Sequence, residues 1–421
     1  MRPKSRKYGQ GSSLRRALYL MVMLCLLVSC RQSNPYYFDG YITENALKMY
    51  LSRAVTMSEF LTVDPFCNDG RYPDKDADID FIRESGAKFI GRSIYRWGDE
   101  KALNDSLFWA GARNLMGKVH AFDPDVIFQA AIFEAVYRDG VNSIRIPEWT
   151  FGLFGLPAED RNFDYASMLF TDGSYVDMWG EGGSVPDITR METQLWYAFL
   201  VGTYINAGIE AVHLGQVHLT GKYDQGWKIW DSFLDRMRAY AGENARRHFV
   251  LFDAHAGISG MMVGKRSLID FNSYPLRIKE VIDRPMEGML ETGHFDSLYG
   301  KSKGCVTPSG WRCSSLPYIV EFDNFGYREG YGNPNWNDHY VWGYDEITWF
   351  YLQSDEYRKQ WLEYAYNWLK KNDRNGFLQM PGARVVTIPG EESFMARAVD
   401  KTSSVPYGMG ISGIVAELWN H

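Results

Sequence analysis

The chain has no CxxC pair, no HExxH pattern, no glycine-rich phosphate turn after its first candidate strand, and, past its first 29 residues, no cluster of basic residues. The first two absences remove the strongest signatures of thiol redox motifs and zinc hydrolases. The third argues against a doubly wound nucleotide-binding sheet. The fourth, with a formal net charge of −7, argues against nucleic acid as a partner. Repeats and low-complexity tracts are absent, and no motif implies a cofactor or a resident metal. Cysteine is scarce, at five in 421 residues. Cys305 and Cys313 flank "VTPSGWR" and fit either a short disulfide loop or two free thiols; spacing alone does not choose.

Long apolar runs are nearly absent too. Ala17–Val28 is the exception, and about a dozen residues is too short for a stable membrane-spanning helix. Arg2, Lys4, Arg6, Lys7, Arg15 and Arg16 precede it, and "LVSC" (Leu27–Cys30) follows. A basic segment, an apolar segment and a small residue before cysteine, in that order, look like a bacterial lipoprotein signal. A plain secretory signal is the alternative. Residues 1–29 are then a removed leader, Cys30 bears lipid, 30–40 is a tether and 41–421 is a single domain. The expected location is the outer membrane or cell surface, with the periplasmic side open. Removing six basic residues and no acid takes the formal −7 to near −13.

Apolar runs of strand length alternate with helical patterns through the remainder. Candidate strands are 59–63, 88–95, 126–136, 209–217, 248–255, 267–273, 318–323 and 376–380. Candidate helices lie between them, at 78–85, 100–116, 189–208, 227–240 and 355–371. Thr189 with Glu192 reads as a capping box, and Ser354 and Asp345 read as caps. Eight strands alternating with helices predict an α/β fold, a (β/α)8 TIM barrel with long insertions in its βα loops. In such a barrel, function collects where strands end.

The stretch "SLPYIVEFDNFG" is an apolar strand that ends in Glu321 and Asp323, two apart and so on one face. Other strand ends repeat the pattern. Glu134 closes the third; His213, Gln216 and His218 occupy the fourth; Asp253 and His255 end the fifth. Asp270 and Asn272 lie on the sixth, Arg92 and Tyr95 on the second, and Gln379 on the eighth. Asn324 follows Asp323. The connection from Tyr137 to Asp187, about 50 residues, is too aromatic for a disordered loop and would wall the mouth with Trp179. Residues 327–344, with Trp336 and Trp342, would form the opposite wall. Flat aromatic faces beside polar donors suit sugar rings, though they also pin long loops.

The leader, eight βα units, strand-end acids and aromatic-walled loops together resemble the glycoside-hydrolase-like barrel lipoproteins of Bacteroidota glycan-utilisation systems. The resemblance implies a carbohydrate substrate and an acid pair. Many such retaining enzymes place one Glu on the fourth strand and one on the seventh. Glu321 fits the seventh, whereas the fourth ends in Gln216 and His218. Glycoside hydrolysis needs one protonated carboxyl and one carboxylate. Glu134 is assigned as general acid/base and Glu321 as nucleophile or base, with Asp323 in reserve. Arg92, Tyr95, Trp179, His213, Gln216, His218, Asp253, His255, Asn272, Asn324, Trp342 and Gln379 would bind substrate. Two other readings stand beside this one: a non-catalytic glycan-binding lipoprotein, and a metal-dependent hydrolase using His213, His218, Asp253 and His255.

Overall fold

The computed structural model of the protein describes residues 34–63, 66 and 75–420. The expected leader, Cys30 and Cys67 lie outside these residues. No helix among the described residues is long and apolar enough to cross a membrane.

The main sheet is built from β1 (Ala54–Met57), β2 (Phe89–Ile94), β3 (Ile127–Ala131), β4 (Ala211–His213), β5 (Leu251–Ala254), β6 (Phe271–Pro275), β7 (Tyr318–Glu321), β8 (Gly376–Leu378), β9 (Met380–Val386) and β10 (Phe394–Arg397). Its order is β8-β7-β6-β5-β4-β3-β2-β1-β9-β10. Every pair is parallel except β9 with β10. The fold is thus a large, curled, parallel-rich sheet of ten strands with helices in its connections. Gln379 alone separates β8 from β9, yet β8 pairs with β7 and β9 with β1.

Several expected strands are shorter than their apolar runs. The expected first strand at 59–63 is not a strand: β1 lies ahead of it at Ala54–Met57, and Glu59, with a φ of 56°, turns the chain out of the extended region. Phe133, with a φ of 32°, separates β3 from Glu134. Gly215, with a φ of 69°, turns the chain after β4. The eighth run extends to Val386, well past Met380.

The principal helices are α1 (Glu44–Leu51), α2 (Asp76–Ser85), α3 (Ser106–His120), α4 (Met191–Ala207), α5 (Lys228–Asn244), α6 (Glu346–Tyr351), α7 (Asp355–Asn372) and α8 (Ser412–Asn420). Ser354 Oγ accepts from Tyr357 N at the start of α7, and Asp345 accepts from Thr348 N at the start of α6, both as expected of caps. The capping box at α4 is absent. Thr189 Oγ1 donates instead to Asp187, and Glu192 takes both Arg161 guanidinium nitrogens. A charged partner outcompeted the local cap.

Strand alternation divides the inner face into layers. Ala54, Phe89, Ile127, Ala211, Leu251, Phe271 and Ile319 form one buried apolar layer near the strand starts. Tyr36, Phe38, Ile42, Leu47 and Tyr50 pack into it from the N-terminal segment and α1. Tyr36 and Phe38, within the span 30–40 expected as a tether, are thus buried side chains. Tyr50 Oη donates to the carbonyls of Tyr36 and Asp125, and the Arg247 guanidinium lies 3.9 Å from the Phe38 ring centre. This plug is the floor. Two residues further along each strand, the inner layer reads Thr56, Gly91, Gln129, His213, Asp253, Ser273, Glu321 and Gln379, all buried. A polar layer on an apolar floor is what the site is built upon.

Candidate active site

Arg92 enters this layer by breaking the strand rule. Alternation would turn it away from the face that Gly91 shares, but its φ is 53° and the β2–β3 register shifts between Ile90 and Ile94. The bulge frees its backbone N–H, which Gln129 Oε1 accepts at 3.0 Å. Its guanidinium then grips both Glu321 oxygens, through Nε at 3.1 Å and through Nη2. Arg384, on β9, lies 3.5 Å from the same carboxylate, and Thr56 Oγ1 donates to it at 3.2 Å. Gly91 leaves room for Gln379 beside this cluster. A Cβ there would sit 1.9 Å from Gln379 Nε2. Burial pushes the Glu321 pKa up, but Arg384 and Arg92 outweigh it and hold it at about 2.

The network continues sideways. Gln129 Nε2 donates to Asp253 Oδ1 at 2.5 Å, Asp253 Oδ2 meets His213 Nδ1 at 2.7 Å, and Ser273 Oγ lies 3.2 Å from the same nitrogen. Burial pushes Asp253 up to about 7, and burial drives His213 well down, so the imidazole is neutral. His255 stands with its ring centre 5.0 Å from that of His213, and burial, the largest cause, lowers it to about 3. The Nε2 atoms of His213, His255 and Gln379 are buried and meet no protein partner. Such atoms normally find water or a ligand.

Nearer the mouth, Glu134 accepts from the backbone N–H and Nε2 of Gln216, both at 2.8 Å. Gly215 makes room: a Cβ there would lie 2.0 Å from Glu134 Oε2. The two residues that differ from the fourth-strand pattern thus meet, with Glu134 of the third unit beside the position after β4. Asp323 pairs with Arg277 at 3.2 Å, and Arg277 also grips Asp296. Glu346 fixes the ends of two strands by accepting from Leu276 N, Ile278 N and Asp323 N at 3.1, 2.8 and 3.0 Å.

Aromatic residues flank these acids. Phe133 contacts Tyr95, Trp97 and His213 at centroid distances of 5.3, 5.3 and 5.8 Å. Trp179 packs on Trp97 at 5.4 Å and on Phe325 at 6.1 Å, bridging the two long loops, and its indole N–H donates to Glu134 O at 2.9 Å. Trp336 is 69% exposed.

The structure therefore gathers Arg92, His213, Asp253, Gln379 and Glu321 in one layer. His255, Asp323 and Asn324 lie beyond their strand ends, and Glu134, Gln216, Tyr95 and Trp179 cluster around Phe133 and Gly215. Three candidates fall elsewhere. Asn272 alternates with Phe271 and Ser273 and so faces away from the layer. Trp342 is 3% exposed and donates to Glu287 O, a core residue that pins its loop. His218 is exposed, meets Trp227 edge-on and reaches Ala256 O. Asp270 serves Phe252 N and Arg238, and Glu210 serves Arg246 and Arg247. Thr56, Gln129, Ser273, Arg277 and Arg384 went unnoticed in the sequence. Gln129 was legible as a lone amide in the apolar run "VIFQAA".

His213, His218, Asp253 and His255 do not form a ligand set. Among the described residues, no group of three or more His, Cys, Asp or Glu stands where it could hold a metal ion.

No protein-family model matches the chain, and no curated protein matches it. Among solved structures, a debranching enzyme from Nostoc punctiforme aligns at 12% identity and a TM-score of 0.30, over 49% of this chain and 48% of that one. A GH27 β-L-arabinopyranosidase from Geobacillus stearothermophilus aligns at 12% identity and 0.31, over 54% of each. A Bacteroides uniformis β-glucuronidase aligns at 14% and 0.34, over 82% of this chain and 32% of that one. The chain spans about half the length of the first of these.

Proposed function

We propose that this chain is a carbohydrate-active protein whose sheet closes as a (β/α)8 barrel, and that it hydrolyses a glycosidic bond at the C-terminal ends of its strands. Closure is supported by the single residue between β8, paired to β7, and β9, paired to β1. The observation that carries the function is Glu321, a carboxylate kept ionised by two guanidiniums within a polar layer, below an aromatic-flanked second carboxylate, Glu134. An ionised acid suits attack on the anomeric carbon or on water, and Glu134 is the proton carrier. The unpartnered nitrogens of His213, His255 and Gln379 suit sugar hydroxyls. Trp179 and Phe325 would offer apolar faces to the ring. Cys30 is the proposed lipid-bearing residue.

The test is reducing-sugar release from a panel of oligosaccharides by wild type, Glu134→Gln and Glu321→Gln. Turnover in wild type, lost in Glu134→Gln while its unfolding transition is retained, supports the reading. Near-normal turnover in Glu134→Gln overturns the acid assignment.

A non-catalytic glycan-binding role is favoured by one observation. Both acids are already engaged, Glu321 by arginines and Glu134 by Gln216. Saturable glycan binding without cleavage, unchanged in Glu134→Gln, would select it.

A further inference from the structure

Outside the polar layer, two side chains with reactive chemistry stand opposite each other. Cys305 and Cys313 are register partners in a short antiparallel hairpin formed by Cys305–Val306 and Arg312–Cys313. Their sulfurs are 3.7 Å apart, and both are thiols in this structure. Directly opposed residues of an antiparallel pair bring their Cβ atoms to about 4.5–5.5 Å, close to the separation that a disulfide spans. Cys305 is buried and Cys313 partly exposed, so a small oxidant reaches the second first.

The tip of this hairpin does mechanical work. Trp311 Nε1 donates to Ile42 O at 3.0 Å, and Ser309 Oγ accepts from Ile42 N at 3.1 Å. Trp311 also packs on the apolar floor. The loop between the cysteines therefore latches the N-terminal segment that plugs the sheet. The other side of the hairpin is tied through Val306 N to Lys265 O.

We propose that Cys305 and Cys313 are a thiol–disulfide site, oxidised by a low-molecular-weight disulfide, and that the bond locks the latch on the N-terminal plug. Cys313 thiolate attacks one sulfur of the oxidant and expels a thiolate, giving a mixed disulfide. Cys305, as its thiolate, then attacks Cys313 Sγ and expels the second small thiolate. Two protein thiols are oxidised, one disulfide is reduced to two thiols, and two protons pass to solvent or to the expelled thiolates. The hydrogen bond between the sulfurs holds Cys313 down, to about 7, so it supplies the first thiolate near neutral pH.

The test uses the full chain, reduced and then equilibrated with oxidised glutathione. Non-reducing peptide mapping by mass spectrometry should show Cys305 linked to Cys313, with the loss of two hydrogens and no bound glutathione. Amide exchange across residues 34–51 should slow several-fold in the oxidised protein. Cys313→Ser should abolish the bond, and glutathione should leave its exchange at the reduced level. Three results overturn the proposal: both thiols still open to alkylation, a linkage of either to Cys67, or a stable glutathione adduct at Cys313. A bond that forms with no change in exchange over 34–51 overturns the latch.

Discussion

Glu321 carries two buried guanidiniums, so its removal is a structural event as well as a chemical one. Replacing it by Gln leaves Arg92 and Arg384 buried beside a neutral amide, which should cost about 3–5 kcal/mol. The expected outcome is a clear drop in urea midpoint, together with lost activity. Glu134→Gln keeps one acceptor oxygen for the two Gln216 donors and should cost roughly 1–3 kcal/mol. The second variant is therefore the cleaner probe of chemistry. Denaturation curves of both variants check the ranking, and equal midpoints would contradict it. Asp253 offers a pH test. Burial raises its folded pKa to about 7, against about 3.9 in an unfolded chain. Between these values the unfolded chain has released its proton and the folded one has not. Ionisation therefore pulls toward unfolding, increasingly from pH ~4 to ~7. Asn at this position keeps an acceptor for Gln129 and gains a donor for His213. Asp253→Asn should raise the urea midpoint at pH 8 and leave it unchanged at pH 4. A gain of equal size at both values, or at neither, would contradict a raised pKa for Asp253.

At the scale of elements, Glu346 is the joint between two strand ends. Its carboxylate takes three backbone N–H groups, from Leu276, Ile278 and Asp323, just after β6 and β7. Ala in its place strands all three, at about 1–3 kcal/mol each. Glu346→Ala should therefore lose several kcal/mol in chemical denaturation, with faster amide exchange concentrated at 276–278 and 323; uniform acceleration would instead indicate a general core defect. Such joints are not legible in a sequence, because Glu346 reads as an ordinary first-turn acid of a capped helix. Except for β1, whose Ala54–Met57 lies ahead of the expected 59–63, strand cores were legible, since their apolar runs carry the signal. Their ends were not, because Glu59, Phe133 and Arg92 leave the extended region through backbone angles that no residue type there announces. Arg384 was missed for a related reason: the eighth run continues past Gln379 after changing partners. Asn272 was misread by one position, and alternation turned that small slip into the wrong face.

The whole molecule has a floor and a mouth, and the chain enters at the floor. Asn34 is fastened to Asp125, just ahead of β3, by two hydrogen bonds, and Tyr36 and Phe38 are already packed in the plug. With the proposed lipid on Cys30, the linker to Asn34 spans at most roughly 14 Å at ~3.5 Å per residue. So short a tether would hold the floor against the membrane and turn the polar layer and its aromatic walls outward. A polymeric glycan should then reach the site as readily in the anchored protein as in a Cys30→Ser form released from the membrane. The measurement is turnover of a polymer and of a short oligosaccharide by the two forms. The polymer-to-oligosaccharide ratio should be the same in both. A several-fold rise in that ratio on release would mean that the membrane shields the mouth, and that the chain is anchored by some other route than its floor.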